Sequence, residues 1–310
     1  MNSPALLFAE SLIPPFELRR FLTEPWSEGA WQATQWIFLL SVLIGWCCGM
    51  VGNFLLLRRM ALTGDAISHS VLPGLVLGYV FFGSMDPWVM ITGAAVAGVC
   101  AVMLIEFLHK QSRLKSDAAM GVAFTTFFAF GVLLIRRFAD RAHLDVDCVL
   151  FGHLEFTVFD TMPTPFGPVP VAVVKMLGIT LLALLLLFLF YKELLMTSFD
   201  AGLANTMGLP GRAVHLGLMA VTSVIVVAAL ESVGAVLVVG MMIVPPATAR
   251  LLAHRLPTLL WLTGLLVVMG ALLGCHVAAW LNTPLAATTM VASGGIFLVV
   301  WLATFWRKLA

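Results

Sequence analysis

Runs of about twenty apolar residues recur nine times along this chain, at 36–57, 65–82, 88–108, 118–135, 169–191, 214–232, 234–253, 258–280 and 286–306. A helix of about 20 such residues crosses a hydrocarbon core of about 30 Å, where only helices and closed barrels satisfy their own backbone. Segment 214–253 is almost unbroken apolar sequence. As one helix it would run roughly 60 Å, two bilayer thicknesses. The spacing therefore predicts a reversal near Glu231, Ser232, Val233 and Gly234. The expected fold is all-α and polytopic, with about nine transmembrane helices and limits of eight to ten. Composition agrees, with 61% hydrophobic residues, 11% charged and a mean hydropathy of +1.04. Soluble domains are roughly 45–50% apolar and about 25% charged. A net charge of +1 offers no basic face for nucleic acid.

Residues 1–30 read as an extramembrane or interfacial tail and 31–310 as the transmembrane domain. The tail holds Glu10, Glu17, Glu24 and Glu28 against Arg19 and Arg20, without the charged start, apolar stretch and small-residue cleavage site of a signal peptide. The cysteines have no ligand spacing. Cys47, Cys48, Cys100 and Cys275 lie in apolar runs as small core residues, and Cys148 lies in a polar connection.

Alternating nine spans sorts the charges. With the N-terminus outside, the inner connections collect Arg58, Arg59, Lys110, Arg113, Lys115, Lys192, Arg212, Arg250, Arg255, Arg307 and Lys308, most of the 17 basic residues. Lysine and arginine excess marks the cytoplasmic face, so the expectation is N-out and C-in, with Arg136 and Arg137 as exceptions. Two connections exceed a simple turn. The outer one, 136–168, contains "DVDCVLFGHLEF" and predicts a short helix. The inner one reads "KELLMTSFDAGLANTMGLPGR". There Ser198 or Asp200 can cap a short helix, Leu203 and Met207 give it one apolar face, and Gly208 with Pro210 stops it. That helix is either a surface connection or a docking element for a cytoplasmic partner.

The opening of the second span, "LLLRRMALTGDAISHSVLPG", carries Asp65 and His69 in otherwise apolar sequence. The i, i+4 spacing puts both side chains on one helix face. A helix rising continuously from Arg59 would place Asp65 roughly 10 Å and His69 roughly 15 Å inward, the latter at the midplane. Pro73 kinks the helix one turn later, while Gly64 and Gly74 allow neighbouring backbone to approach. A charge at such depth costs at least about 2.5–3.5 kcal/mol, so these groups pair or line a pathway. Three chemistries fit: a divalent metal site, a structural Asp–His pair, or a proton relay. A carboxylate with a neutral imidazole suits Mn²⁺, Fe²⁺ or Zn²⁺. One pair gives two ligands where zinc wants four and manganese up to six; a twofold axis between two copies doubles the set.

Glu231, near the outer end of its span, reads as a gate, a secondary ligand or a solvated helix-end carboxylate. His276, in "LLGCHVAAW", reads as packed or interfacial, and His153 and Glu155 as a loop pair. His109, His143, His215 and His254 lie at predicted membrane ends and carry no site signal. Absences also count: no lysine follows a glycine, so no G-x-x-x-x-G-K-[ST] exists, and neither H-E-x-x-H nor G-x-S-x-G occurs. The chain does not read as an enzyme.

The segments "FLLLRRMALTGDAISHSVLPG", "KSDAAMGVAFTTFFAFGVLLI", "LFGHLE", "KELLMTSFDAGLANTMGLP", "VGAVLVVGMMIVPPATARLLA" and "LNTPLAATTMVASGGIFL" together resemble the landmarks of ABC-transporter permeases for manganese, zinc and iron. The resemblance runs from about residue 54 to the C-terminus. It implies an ABC importer permease fold in a bacterial inner membrane, pairing with a second permease copy or paralogue. It also implies cytoplasmic ATP-binding subunits docked at the connection holding Ser198, Asp200, Leu203, Met207 and Leu209, and an extracytoplasmic metal-binding protein. No permanent cofactor is implied, only a transported divalent metal, Mn²⁺ ahead of Zn²⁺ or Fe²⁺. Asp65 and His69 match the family's metal ligands. Many relatives have an acid where "LNTPLAAT" places Asn282, so an outer-gate role there does not carry over. The competing expectation is an autonomous secondary transporter or channel using Asp65 and His69 as an ion or proton relay.

Overall fold

The computed structural model describes residues 18–27, 31–83, 87–111, 115–138, 160–164, 167–199 and 201–309. A short helix α1 (Leu18–Thr23) and a 3-10 turn (Glu24–Trp26) precede α2 (Trp31–Leu57). Then follow α3 (Thr63–Ser70), α4 (Leu72–Phe82), α5 (Pro87–Gln111) and α6 (Ser116–Phe138). A hairpin of β1 (Thr161–Thr164) and β2 (Gly167–Pro170) leads into α7 (Val171–Leu189), α8 (Tyr191–Phe199) and α9 (Ala201–Thr206). The chain ends in α10 (Gly211–Leu252), α11 (Leu256–Leu281) and α12 (Leu285–Leu309). Among the described residues, nine helical segments are long and apolar enough to span a membrane, the number the pattern predicts.

The hairpin departs from a purely helical reading. Its strands pair antiparallel, Thr161 opposite Pro170 and Thr164 opposite Gly167. Gly167 takes φ 116° and Pro170, at φ −59° and ψ 132°, is the extended residue preceding α7, which starts at Val171. The "DVDCVLFGHLEF" helix, Cys148, His153 and Glu155 lie outside the described residues.

Gly234 breaks α10 with φ 75° and ψ 169°. His215, near the start of α10, touches Arg58 at the C-terminal end of α2. A straight helix would carry Met242 roughly 40 Å from that contact. Met242 instead lies against Gly52, less than two turns from Arg58, and also against Gly64. The chain has doubled back at Gly234, as the length argument requires. The two halves, Gly211–Leu230 and Ser232–Leu252, are separate spans.

Alpha2 is the buried centre, with Leu40, Ile44, Val51, Phe54 and Leu55 fully covered. Gly45, Gly49 and Gly52 face Met241, Met242, Thr263 and Val267 of α10 and α11. Asn53, buried on the same helix, donates to the Gly49 carbonyl at 2.9 Å and to Thr263 Oγ1 at 3.0 Å, tying α2 to α11 through a satisfied polar pair. The perimeter is apolar and open, with Phe188 and Trp261 each 83% exposed, as lipid contact requires. Cys47, Cys48 and Cys275 are buried as expected, but Cys100 is exposed on α5. The four described cysteines are all free thiols.

Part of the expected tail is docked on the bundle. The His276 ring donates from Nδ1 to the Phe21 carbonyl at 2.9 Å, and Trp26 packs edge-on against both His276 and Trp31. His276 is thus a packed histidine at the end of the bundle opposite Arg58.

Candidate metal site

Alpha3 exists as a separate eight-residue helix because of what flanks it. At its front, α2 ends in a Schellman turn: Arg59 takes φ 59°, its amide bonds the Leu56 carbonyl and the Met60 amide bonds the Leu55 carbonyl. At its back, Val71 separates α3 from α4, and Pro73 has no amide to return to the His69 carbonyl one turn earlier. Asp65 sits in the first turn and His69 in the last. Each is where the helix dipole favours it, an anion at the N-terminus and a cationic or polarised imidazole at the C-terminus. The turn at 58–62 interrupts the continuous rise expected from Arg59, and α3 starts afresh at Thr63. Ile67 of α3 and Ser223 of α10 both lie against Gly98, and Ser223 is about 12 Å along its helix from the His215 that touches Arg58, so the pair sits well inside the bundle.

The Asp65 Oδ1 and His69 Nε2 atoms lie 3.4 Å apart. That is long for a hydrogen bond. It is also the edge of a tetrahedron whose metal–ligand bonds are about 2.1 Å, an edge of about 3.4 Å. The side chains are not sealed in the protomer: His69 remains 29% and Asp65 39% exposed. The imidazole is braced from α6, its centroid 5.7 Å from Phe124 and 5.6 Å from Phe128, the latter edge-on. These aromatics share the i, i+4 spacing of the Asp–His pair, which is the signal that could have linked the two helices. The neighbouring hydroxyls turn back to the helix, Ser68 donating to the Asp65 carbonyl at 2.8 Å and Ser70 to the Ala66 carbonyl at 2.6 Å. They leave the open face to the carboxylate and the imidazole.

Gly74 and Gly93 let α4 and α5 meet backbone to backbone, since a Cβ on either would strike the other's carbonyl. Gly64 accommodates the Met242 side chain in the same way. Gly74 thus admits neighbouring backbone as its position suggested, whereas Gly64 admits a side chain instead.

The backbone of Glu231 lies well along α10 from the pair. Gly98 lies against both Ile67 and Ser223, which fixes Ser223 as the α10 residue level with α3. Glu231 is about 12 Å farther along that helix, beside the Gly234 reversal. No three histidine, cysteine, aspartate or glutamate residues cluster as a metal cage among the described residues.

The docking candidates fall on two short helices. Ser198 lies inside α8 and does not cap a helix; its hydroxyl accepts from Arg58 Nε at 3.0 Å. Asp200 is outside the described residues. Alpha9 carries Leu203 and ends at Thr206, so Met207, 59% exposed, belongs to the turn and not to the helix face. Gly208 takes φ 74° and the Leu209 amide bonds the Ala204 carbonyl at 3.0 Å, the stop expected from Gly208 and Pro210.

Residues 30–304 match the profile of the ABC 3 transport family. The chain is similar to the manganese transport system membrane protein MntD of Bacillus subtilis, 40% identical over 261 residues covering 84% of this chain and 88% of that protein. It is similar to the zinc transport system membrane protein TroD of Treponema pallidum, 38% identical across 87% of this chain and 73% of that one. In structure it resembles PsaBC from Streptococcus pneumoniae solved in complex with Fab, with a TM-score of 0.74, 30% identity, and coverage of 92% and 95% of the two chains.

Proposed function

The chain belongs to the ABC 3 transport family, and on that premise we propose that it imports a divalent transition metal through Asp65 and His69. It is the multi-pass permease subunit of a metal transporter and not an enzyme; ATP hydrolysis belongs to a separate subunit. The observation that carries the site is the 3.4 Å pair on a half-open helix face. Two copies related by a twofold axis would offer two carboxylates and two imidazoles to one ion. Four monodentate ligands suit Zn²⁺, and carboxylates binding through both oxygens raise the number toward the six of Mn²⁺. Relatives named for manganese, such as MntD of Bacillus subtilis, favour Mn²⁺ as the cargo here, with Zn²⁺ next and Fe²⁺ compatible with the same donors.

In this reading the end of the bundle bearing Arg58, Ser198 and Arg250 is cytoplasmic, the N-terminus outside and the C-terminus inside. An extracytoplasmic metal-binding protein delivers the ion. ATP-driven closure of the partner subunits, felt through α8 and α9, opens the site to each side in turn. Reconstituting the permease with its ATPase in proteoliposomes and measuring Mn²⁺ and Zn²⁺ uptake tests it. Asp65→Ala and His69→Ala should each abolish uptake with folding and ATPase association intact. Normal uptake in either variant removes the site. Uptake that proceeds without any ATPase would favour the autonomous transporter.

A further inference from the structure

Arg58 directly follows α2, and its guanidinium spends three nitrogens on two other elements. Nε donates to Ser198 Oγ at 3.0 Å and Nη2 to Thr197 Oγ1 at 2.7 Å, both on α8. Nη1 lies 3.2 Å from His215 Nδ1 on α10. Arginine has no acceptor, so Nδ1 is the bare nitrogen and the His215 Nε2–H points the other way. It meets Glu106 Oε2 of α5 at 2.9 Å. Thr197 passes its own proton to the Glu193 carbonyl at 2.7 Å, which leaves its oxygen free to accept from Arg58. Arg58 therefore ties the end of α2 to α8 and α10 directly and to α5 through His215, at the end of the bundle where α8 and α9 dock the ATPase in the function proposed above.

The other end of the connection is equally taut. The Met60 amide is held by the Leu55 carbonyl at 2.9 Å, and the Thr63 amide by the Met60 carbonyl at 3.1 Å. Thr63 is the first residue of α3 and Asp65 lies in its first turn. Hydrogen bonds tolerate only a few tenths of an ångström before they weaken. A shift of α8 must drag Arg58 with it or break the fork.

We propose that Arg58 is the positioning residue that carries movement of α8 to the metal-binding helix α3, with His215 and Glu106 as its fixed anchor on α10 and α5. The inference rests on the site and docking assigned above. Arg58 touches no metal ligand, so its loss should uncouple ATP hydrolysis from transport without weakening metal binding. Lysine cannot replace it, since one nitrogen cannot reach three diverging acceptors.

The test uses the complete permease–ATPase complex in proteoliposomes, with Mn²⁺ and Zn²⁺ as probes. Arg58→Lys should keep metal affinity within about twofold and keep ATPase co-purification. Metal imported per ATP hydrolysed should fall at least about tenfold. Thr197→Val should lower the same ratio several-fold. Combined with Arg58→Lys it should cost nothing further, because both remove one connection. A wild-type ratio in Arg58→Lys, or losses that add in the double variant, overturns the proposal. If Arg58→Lys does not assemble, a wild-type ratio in Thr197→Val overturns it. Asp65→Ala run in parallel separates the two readings. If it is inactive while Arg58→Lys is fully coupled, only the relay falls. If it imports normally, the site falls and the relay with it.

Discussion

Met242 carries its backbone carbonyl into the space where a side chain on Gly52 would stand. The obstacle is main chain and cannot rotate away. Gly52→Ala should therefore destabilise the bundle by about 1–3 kcal/mol through overpacking, read as a lower thermal midpoint of the purified protein in detergent. Gly178, on α7, has open space around its Cβ position. Gly178→Ala should be neutral, or stabilising by up to about 1 kcal/mol, because alanine favours the helix. Equal effects at the two sites would show that the α2–α10 contact does not limit packing.

Protons compete for the imidazole nitrogen that a metal needs. An ordinary histidine titrates near pH 6.5, and only the neutral ring binds metal. Metal affinity at the Asp65–His69 pair should be full above that region and fall as pH drops through it, by up to about tenfold per unit for each histidine bound. His69→Asp should remove this step and shift preference from Zn²⁺ toward Mn²⁺, a harder ion suited to oxygen. Isothermal titration of the purified permease from pH 7.5 to 5 checks both. A flat wild-type profile excludes His69 as a ligand.

The Asn53–Thr263 pair predicts an asymmetry in stability. Thr263→Val leaves a buried amide short of a partner and should cost about 1–3 kcal/mol. Asn53→Leu combined with Thr263→Val should recover part of that loss, since an apolar pair leaves nothing unsatisfied. Denaturation of the single and double variants measures the coupling; strictly additive losses would rule it out.

Leu203 and Met207 lie in the connection assigned to ATPase docking. Replacing both by Asp should abolish co-purification of the ATPase while equilibrium metal binding stays within about twofold. Undiminished co-purification would remove the docking role from α9 and its turn.

What could be read from the chain was local. Span count follows from run length, the reversal at Gly234 from a run too long for one bilayer, and the Asp65–His69 face from a spacing of four. The missing parts were long-range or depended on backbone that residue type conceals. Arg58 meets Ser198 and His215 across 140 and 157 residues, a distance at which no periodicity operates. His215 carried no signal because its partners are an arginine and a glutamate on other helices. The break between α2 and α3 was hidden because Arg59, not glycine, takes the left-handed turn that ends α2. Ser198 suits a helix cap by residue type, yet its hydroxyl serves Arg58 inside α8.

The reversal at Gly234 also constrains how the protein is made. Between Leu230 and Ser232 only Glu231 separates the two spans. A connection that short gives the membrane-insertion machinery no resting point at which the first half spans and the second waits in water. The two halves are therefore expected to enter the bilayer as one hairpin, and a chain truncated at Leu230 should be found unstable in the membrane.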